Sequence, residues 1–115
     1  MKIAIVGPCS AGKTTLAAAL AAWGLDARAV VQEHSFVPSL WQQLAAPDKL
    51  IYLDVTFEVA QRRRWLNWTP ADLAEQRRRL AHARAHCDFY LHTDALTIEQ
   101  VQQAVRDYLA SLPDP

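Results

Sequence analysis

A glycine-rich segment near the amino terminus carries the most specific chemical pattern of the chain. It reads G-P-C-S-A-G-K-T from Gly7 to Thr14 and matches G-x-x-x-x-G-K-[ST] at every fixed position. Glycines let the main chain turn tightly, so that successive N–H groups point inward at the start of a helix and bind phosphate. Lys13 adds a cation for the outer phosphates, and the Thr14 hydroxyl is a ligand for Mg²⁺. The segment therefore predicts a loop that binds ATP, or another nucleoside triphosphate, with Mg²⁺.

The predicted phosphate contacts extend over the whole loop and one residue beyond it. Thr15 is expected at the inner phosphate. Cys9 has two interpretations: a thiol near helix N–H groups that senses oxidants, or a small residue at a variable position, which we favour. The predicted binding residues are Gly7, Pro8, Cys9, Ser10, Ala11, Gly12, Lys13, Thr14 and Thr15.

Two carboxylates are candidates for holding the metal or accepting a proton. Phosphoryl transfer needs a metal, cations around the moving group and one such carboxylate. Glu33 is the first candidate for both roles, because it ends a predicted strand where open α/β sheets bind their ligands. The alternative for Glu33 is an acidic residue that ends a strand for solubility. Asp54 follows Ile-Tyr-Leu, in the form of a magnesium-coordinating strand, and ranks second.

Arginines are concentrated in one part of the chain. A solvated helix surface is the usual meaning of such a run. Arg77 and Arg84, however, share a helical face with Leu73 and Leu80, which suggests that they face a bound triphosphate as catalytic groups. The histidines show no clear metal spacing, and none is assigned as a ligand. Seven of the twelve basic residues belong to the run: Arg62, Arg63, Arg64, Arg77, Arg78, Arg79 and Arg84.

Four apolar runs predict the strands that must position these residues. A continuous apolar run stopped by glycine is typical of a strand in a parallel sheet. Residues 35–48 carry two prolines and are expected to be an irregular, functional loop. The predicted strands are residues 2–7, 29–32, 49–55 and 88–93.

Helices are predicted between the strands. The helix from position 70 is opened by Thr69 as its cap, with Pro70 at its first position and Asp72 three residues after the cap. The last helix begins with the capping box Thr97 to Gln100 and has one apolar face. The predicted helices cover residues 13–23, 56–68 and 70–87 and the segment after Thr97.

This alternation predicts the fold class and its organisation. Strands that alternate with helices imply a parallel sheet covered on both faces, which is a three-layer α/β/α arrangement. With 115 residues, 51% of them hydrophobic, the chain is expected to form one domain over residues 1–112 with a tail at 113–115.

The composition excludes several classes of function. Twelve basic residues balance twelve acidic ones, so no global charge favours nucleic acid or an anionic membrane as partner. Cys9 and Cys87 are the two cysteines and form no CxxC pattern, which argues against a disulfide scaffold or a structural zinc site. The first apolar run is too short for a signal peptide or a membrane span. A cytoplasmic location is expected.

The chain resembles the P-loop kinases of small molecules, the group of nucleoside and nucleotide kinases. Beyond the loop, the likeness covers P-D-K-L-I-Y-L-D-V at 47–55 followed by the arginines 62–64, and C-D-F-Y-L-H-T-D at 87–94 followed by I-E-Q-V at 98–101. The resemblance implies a P-loop NTPase fold, ATP-dependent phosphoryl transfer and lid arginines. It also implies that residues 91–96 contact adenine.

The chain also departs from that family. Its members usually have five parallel strands and a sizeable acceptor-binding insertion, whereas four strands are predicted here and only residues 35–48 lie in that region. If one strand is deleted, the strand ending in Glu33 lies beside the strand of the phosphate loop, and the sheet order is 2-1-3-4.

Three functions are compatible with these residues. The leading hypothesis is a minimal ATP-dependent phosphotransferase for a small molecule, with Lys13, Thr14, Glu33 and lid arginines as working groups. The rival is a nucleotide-binding module without kinase activity, whose lid closure is read by a partner protein. The third is a slow hydrolase of nucleoside triphosphates, since an open lid admits water. Two edge strands also leave room for a homodimer.

Overall fold

Four parallel strands form one sheet in a computed structural model that describes residues 1–63 and 67–113. The strand order is β2-β1-β3-β4, and every neighbouring pair is parallel. The predicted parallel sheet with order 2-1-3-4 is therefore confirmed. The strands are β1 (Lys2–Val6), β2 (Asp26–Ala29), β3 (Lys49–Asp54) and β4 (Phe89–His92).

Five helices accompany the sheet in the described residues. Both predicted capping boxes are present: Thr69 with Asp72 opens α4, and Thr97 with Gln100 opens α5. Among the described residues, no helix has the length and apolarity needed to cross a membrane. The helices are α1 (Lys13–Ala22), α2 (Leu40–Ala45), α3 (Phe57–Arg63), α4 (Pro70–His86) and α5 (Ile98–Ala110), and a short 3-10 helix covers Gln32–His34.

The side chains of the central strands alternate between two apolar cores. Ile3 and Ile5 of β1 pack in one core with residues of α1, α3 and α5. Ala4 and Val6 point to the other core, which contains residues of α2 and α4. Because successive residues of a strand face opposite sides, a continuous apolar run is buried on both. The result is a compact α/β domain with helices on both faces of the sheet.

The position of β2 differs from the prediction. The apolar run at 29–32 predicts a strand there, but β2 is Asp26–Ala29, paired with β1 from Lys2↔Asp26 to Ile5↔Ala29. The bounds of β2 therefore follow from its main-chain hydrogen bonds with β1 and not from the apolarity of its residues. Glu33 consequently lies in the 3-10 helix after the strand and not at the strand's last residue.

Two further element predictions were wrong in part. The segment 35–48 contains α2, which begins where the Gln32 side chain accepts a hydrogen bond from the Trp41 main-chain nitrogen at 2.8 Å. The helix predicted over 56–68 is α3 and ends at Arg63, as far as the described residues extend; positions 64–66 lie outside them. Trp68 is not helical, and its ring nitrogen donates to Gln61 Oε1 at 2.8 Å.

Candidate functional site

The loop between β1 and α1 lies directly over the end of β3. Gly7 has a φ of 154°, and a Cβ built on it would lie 2.0 Å from the carbonyl oxygen of Leu53. Only glycine allows this approach. Ser10 and Gly12 also have positive φ values, 67° and 101°, so the chain turns tightly before α1 begins.

The amino terminus of α1 differs from those of α4 and α5. The two later helices have complete capping boxes, whereas Gly12, the residue that precedes α1, provides no side-chain cap. The first N–H groups of a helix have no acceptor inside the helix, and together they carry a partial positive charge. Thr14 and Thr15 in this first turn are exposed and line a cavity. This helix terminus is thus open to an anion.

Lys13 extends back along the loop and is buried. Its Nζ donates to the carbonyl oxygens of Gly7 at 2.7 Å and Pro8 at 3.2 Å, and it forms an ion pair with Glu33 Oε2 at 2.6 Å. The ammonium group therefore lies between the phosphate loop and the 3-10 helix. Lys13 and Glu33, two of the predicted working groups, thus meet at one end of the sheet.

Glu33 has one carboxylate oxygen in use and one without a partner. Its side chain is only 3% exposed, and Oε1 has no hydrogen-bond partner in the described part of the chain. Ser10 Oγ, in the loop opposite, is also buried without a partner there. Buried polar atoms are nearly always hydrogen-bonded, so each of these two oxygens is expected to bond a water molecule, an ion or a ligand.

The cavity has a volume of about 600 Å³ and two chemically different walls. One wall is polar and is formed by loop residues 9–15 with Glu33 and His34. The other carries Leu96, Ile98 and Val101 from the end of the sheet and from α5. Small-molecule sites in proteins typically have volumes of about 300–1,000 Å³ and combine apolar walls with a few convergent polar groups.

Arg63 is the one arginine among the described residues that lines the cavity. Its Nη1 donates to Thr93 Oγ1 at 2.8 Å and to the Ser10 carbonyl oxygen at 3.2 Å, and its Nη2 donates to the Thr93 carbonyl oxygen. Arg63 thereby connects α3, the end of β4 and the phosphate loop. It belongs to the predicted lid arginines 62–64, of which Arg64 lies outside the described residues.

Arg77 and Arg84 are not among the residues that line this cavity. Arg77 Nη2 pairs with Asp54 Oδ1 at 3.3 Å and donates to the Val55 carbonyl oxygen at 3.0 Å. The Arg84 guanidinium lies 3.9 Å from the centre of the Tyr90 ring. Their assignment as catalytic groups stays a prediction. The buried positions of α4 are Leu73, Gln76, Leu80 and Ala83, so the two arginines flank the apolar stripe.

Asp54 has both carboxylate oxygens engaged by protein groups. Besides Arg77, the main-chain nitrogen of Val55 donates to Oδ1 at 2.9 Å, and the Tyr90 hydroxyl donates to Oδ2 at 2.6 Å. Burial, and then the hydrogen bond to Asp54, raise the pKa of the Tyr90 hydroxyl to about 12. Asp54 does not line the cavity, so its surroundings are those of a structural carboxylate.

Gln76 is a site residue that the sequence did not reveal. Its Oε1 accepts a hydrogen bond from the Cys9 main-chain nitrogen at 3.0 Å, and its Nε2 donates to Cys9 Sγ at 3.2 Å. Gln76 is buried, and it lies three residues after Leu73 and four before Leu80. An uncharged polar residue within the apolar stripe of a helix is the signal that could have identified it.

Comparisons with known proteins add no relative: no protein-family model and no curated protein matches the chain. The resemblance to small-molecule kinases therefore rests on the residues of the phosphate loop and of the two later strands. The geometry of the cavity provides the independent argument for a function.

Proposed function

We propose that the protein binds a nucleoside triphosphate, ATP, with Mg²⁺ in this cavity and acts as a minimal kinase-like phosphotransferase on a small molecule. One observation carries the proposal: the uncapped start of α1, the Lys13 ammonium and the unpartnered Glu33 Oε1 converge on a single cavity. This set combines an anion site, a cation and a carboxylate with one unpartnered oxygen, which are the kinds of group that phosphoryl transfer requires.

The phosphates would be held by the main chain and by Lys13. N–H groups at the start of α1 bind anions through their partial positive charge. Lys13 lies within the same loop, and the phosphate charge would compete with Glu33 for its ammonium group. Glu33 released from Lys13 would bind Mg²⁺ or accept the proton of the acceptor. Thr14, whose side chain is exposed at the cavity, supplies the second protein oxygen for the metal.

The nucleoside and the moving phosphoryl group would contact different residues of the cavity. Leu96, Ile98 and Val101 form its apolar part and offer a surface for a base. Arg63 also lines the cavity and bonds Ser10 and Thr93. Among the described arginines it is the one at the cavity, so its guanidinium would stabilise charge on the phosphoryl group.

A second function, a nucleotide-binding module without an acceptor, is favoured by the position of Trp41. The resemblance places the acceptor region at residues 35–48, but α2 occupies this segment and Trp41 is only 6% exposed in the core beside α4. A buried indole ring cannot stack on an acceptor molecule. The same absence of an acceptor position in the described residues would suit a hydrolase, in which water takes the place of the acceptor.

Calorimetric titration with ATP and Mg²⁺ tests the binding step. The wild-type chain is expected to bind one equivalent, and Lys13→Ala to weaken binding about 100-fold because a charge-assisted contact to phosphate is lost. Lys49→Ala is the matched control, since Lys49 is half-buried and lies 4.0 Å from Asp88, away from the cavity. Urea denaturation of each variant shows that it is folded. No heat with the wild type, or full affinity in Lys13→Ala, would overturn the proposal.

Product analysis then separates the candidate functions. Metabolite pools incubated with ATP and the protein are compared by mass spectrometry with pools that contain Lys13→Ala. A new phosphorylated compound supports the phosphotransferase, and ADP formed without such a compound supports the hydrolase. Stable binding of ATP with neither product supports the module.

A further inference from the structure

Three potential metal ligands of different types lie together at the mouth of the phosphate loop. They are the Cys9 thiol, a Glu33 carboxylate oxygen and a ring nitrogen of His34, and their donor atoms all lie within 4.8 Å of one another. Cys9 Sγ is 3.5 Å from His34 Nε2, which is 4.0 Å from Glu33 Oε2. The predicted nucleotide contacts assign no role to the Cys9 thiol or to His34.

The spacing of these atoms is close to that of ligands around a tetrahedral metal. Zn²⁺ binds sulfur at about 2.3 Å and imidazole nitrogen at about 2.0 Å, which places the two ligand atoms about 3.5 Å apart in a tetrahedron. The observed distance between Sγ and Nε2 is 3.5 Å. Glu33 Oε2 lies 4.0 Å from His34 Nε2, so the carboxylate has to move closer to coordinate the same ion.

Neighbouring groups already hold two of the three ligands. Gln76 bonds both the main-chain nitrogen and the sulfur of Cys9, at 3.0 Å and 3.2 Å, and so fixes the direction of the thiol. Glu33 is buried, its Oε2 is paired with Lys13, and its Oε1 has no partner in the described residues. Outer groups that orient ligands are typical of built metal sites. The unpartnered carboxylate oxygen is a buried acceptor that a cation bound to this cluster would engage, as Mg²⁺ would at the proposed nucleotide site.

We propose that Cys9, Glu33 and His34 form a binding site for a thiophilic divalent cation, Zn²⁺, with one coordination position open toward the cavity. Sulfur and imidazole nitrogen select Zn²⁺ over Mg²⁺, which prefers oxygen ligands. On binding, the Cys9 thiol releases its proton to solvent and the thiolate coordinates the metal. The site is separate in chemistry from the proposed Mg²⁺ site, although the two share Glu33.

Titration with Co²⁺, in the absence of nucleotide, tests the site directly, because Co²⁺ reports thiolate coordination by an absorption band that aqueous Co²⁺ lacks. The wild type is expected to develop the band to one equivalent and to lose it when Zn²⁺ is added. Cys9→Ser should abolish the band, and His34→Gln should weaken Co²⁺ binding about 100-fold. Cys87→Ser is the matched control, since Cys87 is the other cysteine and contacts Arg84, and it should behave as the wild type.

The outcomes separate this proposal from the proposed function. Absence of the band in the wild type at millimolar Co²⁺, or its persistence in Cys9→Ser, would overturn the zinc site. So would its loss in Cys87→Ser. Urea denaturation of Cys9→Ser and Cys9→Ala verifies that the loss is not unfolding. Because neither nucleotide nor Mg²⁺ is present, failure here leaves the ATP proposal intact, and failure of ATP binding leaves the Co²⁺ result unchanged.

Discussion

Two ion pairs lie at the edge of the sheet where the strands have their carboxyl ends, and they differ in whether the carboxylate has an oxygen left without a partner. Lys13 pairs with Glu33 and Arg77 pairs with Asp54, and the two carboxylate side chains are 3% and 10% exposed. Asp54 receives three hydrogen bonds, from Arg77, Val55 and Tyr90, which occupy both of its oxygens. Glu33 receives one from Lys13, and its Oε1 has no partner in the described chain.

The difference shows that burial alone does not identify a functional carboxylate. Both groups are buried acids near the same edge of the sheet, and both are candidates from the sequence. A carboxylate whose oxygens are all engaged contributes to stability, whereas one with an unused buried oxygen is costly unless a ligand binds it. We therefore expect substitutions at Glu33 to affect chemistry, and substitutions at Asp54 to affect folding but not chemistry.

The largest expected effect is on turnover by Glu33→Gln. This variant removes the negative charge but retains the shape, so Mg²⁺-dependent turnover of ATP should fall at least about 100-fold while ATP affinity changes little. Asp54→Asn should leave turnover within about threefold of the wild type, because its oxygens contact protein groups outside the cavity. Steady-state kinetics with saturating Mg²⁺ measures both. If Asp54→Asn is the inactive variant, the roles of the two carboxylates are reversed.

The next effect is on stability. Asp54→Ala leaves the Tyr90 hydroxyl and the Val55 N–H without an acceptor, and we expect its free energy of unfolding to fall by about 2 kcal/mol. Glu33→Gln retains an oxygen for Lys13 but leaves the buried Lys13 ammonium without a counter-charge, and should lose about 3 kcal/mol. Urea denaturation followed by circular dichroism measures the two values. No loss in Asp54→Ala would show that the hydrogen bonds of Asp54 do not stabilise the fold.

The arginines extend the comparison to ligand affinity. Arg63 contacts the phosphate loop, so Arg63→Ala should weaken ATP binding about tenfold, as expected for one charged contact. Arg77→Ala is the control, because Arg77 bonds Asp54 and Val55 and does not line the cavity. Calorimetry of both variants with ATP and Mg²⁺ decides the assignment. A larger loss in Arg77→Ala would restore Arg77 as the lid arginine of the sequence prediction.

The smallest effect is on the free energy of unfolding at alkaline pH, and it concerns the hydrogen bond from Tyr90 to Asp54. The pKa of Tyr90 is raised from 10.0 to about 12, so the folded state holds this proton more tightly than the unfolded state. The resulting stabilisation is complete below pH 10 and is lost as the pH rises through about 12. Tyr90→Phe should therefore show a shallower loss of stability over this range in urea denaturation. Tyr52, whose pKa burial also raises, still titrates in the variant. An unchanged slope would contradict the role of Tyr90.

The sheet order could be predicted from the sequence because it followed from strands that alternate with helices and from the omission of one strand. The position of β2 could not. Its residues D-A-R-A alternate in exposure at the edge of the sheet, and pairing with β1 selects them over the more apolar run that follows. Apolarity predicts burial, and Val30 is indeed buried, but it does not predict which residues form hydrogen bonds with a neighbour.

The candidate site divides in the same way between local and distant interactions. The phosphate loop is local, since seven consecutive residues place Lys13 beside Gly7. Arg63 and Gln76 reach the loop from residues more than fifty positions away. Which of three adjacent arginines meets the loop depends on the orientation of α3, and the contact of Gln76 depends on how α4 packs. The helical spacing of Leu73 and Leu80 predicts Arg77 on their face of α4. In the structure the buried residue of that face is Gln76, one position earlier, and Arg77 flanks it.

The contact between Gly7 and Leu53 limits how this protein can vary during evolution. A side chain at position 7 would have to displace the backbone at the end of β3, and Asp54 and Val55 would move with it. Position 12 has no such neighbour, so residues that tolerate a left-handed backbone, such as asparagine, can replace its glycine at a smaller cost. Among descendants of this chain, the first glycine of the loop is required by both volume and backbone conformation, and the second by backbone conformation alone.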